Sequence, residues 1–164
     1  MKALGIILIL SAGIILAFKM YNTSLLRIKI LRRLISDFHI IKNEIVYKHT
    51  PLYDAIKCVT GKGVLTDFYH FLLSGLENSL PVKEVFEKGI EKLCGLKDKD
   101  REAIHGLASV LGATDVKGQA EAFDIFTALV SKNLTEAEKF IKENTKPKCV
   151  TVLFIFVVAG LIMI

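Results

Sequence analysis

Cysteine, early acidic residues and β-turn signals are nearly missing from this sequence, and each absence narrows what the chain can be. Cys58, Cys94 and Cys149 are odd in number, widely spaced and never paired as Cys-x-x-Cys. That argues against a disulfide framework and against a zinc site. No acidic residue precedes Asp37; through Lys57, nine basic residues stand against three acidic ones, while the remainder carries thirteen against fourteen. The net charge of +5 therefore belongs to one region beside the first apolar run. Anionic lipid headgroups suit that distribution better than nucleic acid, and the aromatic interleaving of a single-strand binder is missing. No stretch alternates cleanly with period two, and neither Asn-Gly nor Asp-Gly occurs, so hairpins have no foothold.

What is present is apolar, and much of it lies at the two ends. Mean hydropathy is +0.45 and 52% of residues are hydrophobic. Residues 3–18 and 149–164 carry no charged side chain. As helices they cover about 24 Å each at about 1.5 Å per residue, slightly short of a hydrocarbon core of about 30 Å. Lys2, Lys19 and Lys148 can snorkel at their ends and Tyr21 can sit among headgroups. Cleavage after the first run is disfavoured, because Ala17-Phe18-Lys19 does not supply small residues at alternate positions. Both runs are expected to be membrane spans, dividing the chain into 1–20, 21–147 and 148–164. Lys19, Arg27, Lys29, Arg32 and Arg33 follow the first run, and Lys142, Lys146 and Lys148 precede the second. The basic flanks place the middle in the cytoplasm and both termini outside, with Lys2 the one opposing charge. Cys149 at the edge of the second run reads as a small apolar residue, with palmitoylation the lesser alternative.

The middle reads as helix throughout. Leu31, Leu34, Ile35, Phe38, Ile41 and Ile45 recur at three and four within 24–47. Lys29, Arg32 and Arg33 fall together on another face, which either lies against anionic lipid or is a solvated face that sets topology. Thr50 is placed to N-cap a new helix with Pro51 at its first position, ending near Thr60. A third helix is expected over 64–78, striped by Leu65, Phe68, Leu72, Leu73 and Leu76. A fourth carries Val82, Val85, Phe86, Ile90 and Leu93, and Gly95 permits its stop. Asp98 or Asp100 can cap a fifth, with Ile104, Leu107, Ala108 and Leu111, which Gly112 closes. The last starts near Asp115 and continues towards Thr145 before Pro147 interrupts it. The expected class is all-α: an antiparallel bundle of about six helices, flanked by an N-terminal and a C-terminal transmembrane helix.

Chemistry is hard to find. His39, His49, His70 and His105 are scattered, without a His-Glu-x-x-His pair, and read as amphipathic boundary residues. Gly61-Lys62-Gly63 lacks the spaced glycine, the following Ser or Thr and the preceding strand of a phosphate loop. No serine sits in a Gly-x-Ser-x-Gly elbow. Glu84, Glu87 and Glu91 interleave with Lys83, Lys88 and Lys92 as a solvated face. Glu44, a few residues before the helix break, is placed to accept from His49 or the Thr50 region as a structural cap. The residues themselves point to no cofactor, no metal and no enzymatic activity.

Two short motifs then carry a resemblance. Glu44-Ile45-x-Tyr47-x-His49-Thr50-Pro51-Leu52 and Leu111-Gly112-x-x-Asp115-x-x-x-Gln119, in that order and between two apolar ends, resemble the stage III sporulation protein AB family over essentially the full length. The resemblance implies a helical domain like the cytoplasmic F-type platform domain of type II secretion and type IV pilus machines. It implies a scaffold in the channel complex between mother cell and forespore, set in the mother-cell membrane and coupling a secretion-type ATPase to ring-forming membrane partners. It supplies no catalytic residues; Glu44, His49, Thr50, Pro51, Leu52, Leu111, Gly112, Asp115 and Gln119 are motif positions expected to shape helix ends or touch partners. Where the family usually has glycine before the histidine, this chain has Lys48, which would be strained if that position required positive φ. The expected partners are membrane lipid and the other channel subunits, not nucleic acid, with room for a homo-oligomer. The competing readings are a membrane-tethered helical sensor binding a small ligand or protein, and a membrane enzyme built on scattered His and Asp residues.

Overall fold

Nothing between Lys19 and Tyr47 can stop a helix: the stretch has no proline and no glycine. In the computed structural model the first apolar run and the basic stretch accordingly form one helix, α1 (Lys2–Lys48), where two had been expected. The structure describes the backbone of residues 2–61 and 63–162, and all their side chains except those of 2–10, 20, 146, 149, 153 and 159–162. After α1 come α2 (Leu52–Val59), α3 (Thr66–Glu77), α4 (Val82–Glu91), α5 (Asp98–Val110), α6 (Val116–Phe140), one π-helical turn (Ile141–Thr145) and α7 (Lys146–Ile162). The all-helical class stands, with no strand among the described residues.

Pro147 does not interrupt the last helix as expected; it lies in the first turn of α7. Proline lacks a donor and its ring crowds the carbonyl four residues back. The π-helical turn comes immediately before it, where a wider turn accommodates that mismatch. Among the described residues no helix is long and apolar enough to cross a membrane. Side chains 2–10 and 159–162, and residues 1, 163 and 164, lie outside that description, so the expected spans at 3–18 and 149–164 fall partly outside it. The reading of Cys149 and the lysine of Gly61-Lys62-Gly63 lie outside it as well.

The chain divides into two compact units: residues 29–135, and residues 1–28 together with 136–164.

The 29–135 unit has a true core. Leu31, Leu34, Phe38 and Ile41 of α1 are buried with Ile56, Phe68, Leu72, Phe86, Ile90, Ile104, Phe123, Phe126 and Val130. Phe38 touches rings from two other helices: Phe126 at 4.7 Å, Phe123 at 6.4 Å and Phe86 edge-on at 6.5 Å. Phe86 meets Phe68 in a second T-shaped contact at 6.2 Å, so rings link α3, α4, α1 and α6. Consecutive helices α2, α3, α4 and α5 pack on one another, as short loops require.

One polar cluster reaches into this core, with Asp37 and Tyr69 buried and Arg33 at its exposed edge. Asp37 is 1% exposed and accepts from Arg33 Nε at 2.7 Å and from the Tyr69 hydroxyl at 2.9 Å. Arg33 Nη2 also reaches the Val59 carbonyl at the end of α2, 3.4 Å away. Burial, then the neighbouring carboxylate and the hydrogen bond to it, push the Tyr69 phenol well above its usual range, so it remains a donor. Arg101 performs a similar task between helices, donating to the carbonyls of Ile90 at 2.5 Å and Leu93 at 2.9 Å at the end of α4. Asp100, one of the two expected caps, accepts from the Lys97 amide at 2.9 Å and so reaches back over the start of α5.

In the other unit the opening part of α1 runs antiparallel to the π-turn and α7. Gly13 lies against Phe156, and the Ser24 and Thr145 hydroxyls are 3.5 Å apart. Eleven residues forward on one helix match eleven back on the other, which fixes a single register. Gly13 and Ala17 make the buried face, small residues four apart that let helices approach closely. Ile14, Ile15, Phe18, Val150, Phe154 and Ile155 are exposed.

Close approach inside the 29–135 unit depends on Gly75, where an added Cβ would stand 2.7 Å from both methyls of Val85. Gly75→Ala is expected to lower stability by about 1–3 kcal/mol through overpacking. In thermal unfolding of the full chain in detergent, Val85→Ala in the same background should give back part of that loss, though Val85→Ala alone destabilises.

Candidate functional site

The first motif builds the end of α1. Its last turn presents the Glu44 carboxylate, which accepts from Lys48 Nζ at 2.5 Å through one oxygen and from the Thr50 hydroxyl at 3.0 Å through the other. The Thr50 amide donates to the Glu44 carbonyl at 2.9 Å, so one residue holds both the main chain and the side chain of the reversal. The hydrogen bonds from Lys48 and then Thr50 hold the Glu44 carboxyl below its usual pKa, and the same contact raises that of Lys48.

Thr50 therefore does not cap α2 as expected. Its hydroxyl faces backward to Glu44, α2 begins at Leu52, and Pro51 precedes it without a side-chain cap. The left-handed residue is His49, at φ 55°, not Lys48. Lys48 is thus an ordinary final helical residue, and the strain that a positive φ would bring does not fall on it. His49 bears the positive φ, which costs a non-glycine residue about 1–2 kcal/mol. His49 itself is exposed and Leu52 half-buried.

The second motif joins α5 to α6. Leu111 is buried, and Gly112 takes φ 76°, a conformation glycine adopts freely. Asp115 Oδ1 accepts from the Gly118 amide at 2.9 Å, the third residue of α6, in a standard N-cap. The Gln119 side-chain amide reaches back to the Thr114 carbonyl at 2.9 Å. Each polar motif side chain here is engaged in holding a turn.

Topology brings the two motifs to one end of the 29–135 unit. Lys42 on α1 pairs with Asp124 on α6 at 2.5 Å, and Phe38 stacks on Phe126, so the two helices run antiparallel. Six residues further along α1 is Lys48, and six back along α6 is Gly118; each step is about 9 Å. Around these reversals Tyr47 is 71% exposed and Val116 41% exposed. In the sequence Tyr47 falls off the Leu34–Phe38–Ile41–Ile45 stripe, the one signal of its exposure. A second apolar feature lies between α5 and α6, a groove of about 160 Å³ over Gly106, Leu107, Phe126 and the exposed Ile125 and Leu129.

Lys29, Arg32 and Arg33 are all exposed, and Arg33 is in addition tied to Asp37 and Val59. His39 and His70 are also exposed and His105 is half-buried. No three His, Cys, Asp or Glu side chains gather among the described residues in a way that could hold a metal ion.

Two consequences are measurable. A depressed Glu44 pKa adds stability that is present above the usual glutamate value and is lost as pH falls through the depressed one. In acid titrations followed by circular dichroism, Glu44→Gln should be less stable than the parent at pH 7, with the difference vanishing towards pH 3. Asp115→Ala should cost about 1 kcal/mol from the lost cap, and Asp115→Ser should restore most of it.

The family model described as stage III sporulation protein AB matches residues 2–164. No curated protein and no solved structure gives a significant match.

Proposed function

The chain belongs to the stage III sporulation protein AB family, and from that premise we propose that it is a non-enzymatic, membrane-anchored scaffold of a secretion-like channel between mother cell and forespore. In this reading residues 3–18 and 149–164 anchor it in the mother-cell membrane around the forespore, and the helical middle faces the cytoplasm. There it couples an ATPase to membrane ring components. The ATPase supplies the chemistry and this chain supplies geometry, since two anchors restrict the domain and raise the effective concentration of weak contacts.

Two features support the anchors. Residues 3–18 and 149–164 have no charged side chain, and the unit that contains them exposes Ile14, Ile15, Phe18, Phe154 and Ile155. Exposed apolar surface of that kind marks a membrane or protein contact.

The observation that carries the scaffold reading is the motif-bearing end of the 29–135 unit. Glu44, Thr50, Asp115 and Gln119 hold two chain reversals side by side, and Tyr47 and Val116 are left in solvent there. A preorganised backbone presenting an aromatic side chain is what a protein contact needs. The sensor alternative wants converging polar groups in the bundle core, but the buried Asp37 carboxylate is already occupied by Arg33 and Tyr69.

Tyr47→Ala combined with Val116→Asp changes exposed side chains and should shift stability by no more than about 0.5 kcal/mol per site. In cells that depend on this chain, the pair should cut heat-resistant spores on the order of tenfold or more, the effect of losing a contact hot spot. Normal sporulation by this pair, with loss in Ile125→Glu/Leu129→Glu, would move the contact to the α5–α6 groove. Normal sporulation by both would defeat the scaffold reading.

A further inference from the structure

A cavity of about 410 Å³ opens in the unit formed by residues 1–28 and 136–164. Lys19 and Lys148 line it, with Thr23, Ser24 and Thr145 between them, and no carboxylate of the described residues is among its walls. Leu16 and Phe140 form its apolar sides, each partly exposed. Neither lysine is joined to a carboxylate among the described residues, whereas Lys42, Lys48, Lys83, Lys88 and Lys139 are.

Three independent features converge on this place. Lys19 directly follows the uncharged stretch 3–18, and Lys148 directly precedes 149–164. The register set by Gly13 against Phe156 and Ser24 against Thr145 puts Lys148 opposite residue 21. The two lysines therefore differ in height by two residues, about 3 Å along the helix. The π-helical turn ends at Thr145 in the cavity wall, and such turns occur frequently at functional sites. The Thr23 hydroxyl is committed to the Lys19 carbonyl at 2.9 Å, so an incoming anion would rely on the two ammonium groups.

We propose that this cavity binds the phosphate of an anionic phospholipid, held between Lys19 and Lys148, with Leu16 and Phe140 against the start of its acyl chains. The inference rests on the membrane reading above. Two ammonium groups about 3 Å apart in height suit a phosphodiester monoanion held between them. The apolar walls, opening beside uncharged helix, favour a lipid-borne phosphate over a free one. The site gives the basic flank a specific ligand in place of a diffuse attraction to charge.

The test uses the full chain. Flotation with phosphatidylcholine vesicles after an alkaline carbonate wash comes first; a chain that washes off defeats the membrane reading and this inference with it. A chain that floats is then taken into detergent and titrated with phosphatidylglycerol or phosphatidylcholine, with bound lipid read by native mass spectrometry. The expected result is preferential retention of phosphatidylglycerol, weakened roughly fivefold by Lys19→Gln or Lys148→Gln and further by both. Lys83→Gln/Lys88→Gln, at exposed sites on α4, should leave retention unchanged. Equal retention of the two lipids, or undiminished retention in the double variant, overturns the site while leaving the anchors standing. Displacement of the lipid by inorganic phosphate at equal concentration would identify a free-phosphate site and overturn the lipid assignment.

Discussion

Phe38 is the contact on which the 29–135 unit depends. Its ring stands among Phe86, Phe123 and Phe126, and its backbone neighbour Asp37 anchors Arg33 and Tyr69. One helical turn of α1 thus meets α4 and α6 through apolar contact and α2 and α3 through charge-assisted hydrogen bonds. Apolar burial is tolerant of small shifts, but a buried carboxylate with two directed donors is not. The Asp37 cluster therefore sets the rotation of α1 in its bundle. With α1 and α6 antiparallel through Phe38 and the Lys42–Asp124 pair, their far ends arrive together.

That arrangement explains what the family motifs do. Glu44 and Thr50 close α1, His49 takes the left-handed φ, and Gly112, Asp115 and Gln119 turn the chain from α5 into α6. Hydrogen bonds within the two reversals occupy Glu44, Thr50, Asp115 and Gln119, and Tyr47 and Val116 stay exposed beside them. The scaffold reading follows that division of labour, with rigid ends displaying a small apolar and aromatic surface. The same logic holds in the unit of 1–28 and 136–164, where Gly13 and Ala17 bring helices close and larger apolar residues face outward.

Much of the helical architecture was legible from spacing, because three-and-four stripes such as Leu31, Leu34, Phe38 and Ile41 report burial directly. Helix stops near Gly95 and Gly112 were legible because glycine favours positive φ there. What was illegible involved partners distant in sequence or competition between local options. Asp37 and Tyr69 lie thirty-two residues apart, and an acid inside an apolar stripe looks like any polar interruption. Thr50 had two acceptable roles, and tertiary geometry chose Glu44 over the following helix. Pro147 predicted a stop, yet a π-helical turn accommodates proline without one. Of the candidate site, the motif letters were visible, but their convergence at one end required the antiparallel pairing of α1 with α6.

The functional account requires the helical middle to face the cytoplasm, within reach of an ATPase. Cys58 and Cys94 are both exposed on it, which makes them native reporters once Cys149 is changed to Ser. Intact sporulating cells treated with a membrane-impermeant maleimide, before and after permeabilisation, provide the most direct measurement. The account predicts that both thiols label only after permeabilisation; labelling of either in intact cells would put the domain outside and contradict coupling to a cytoplasmic ATPase.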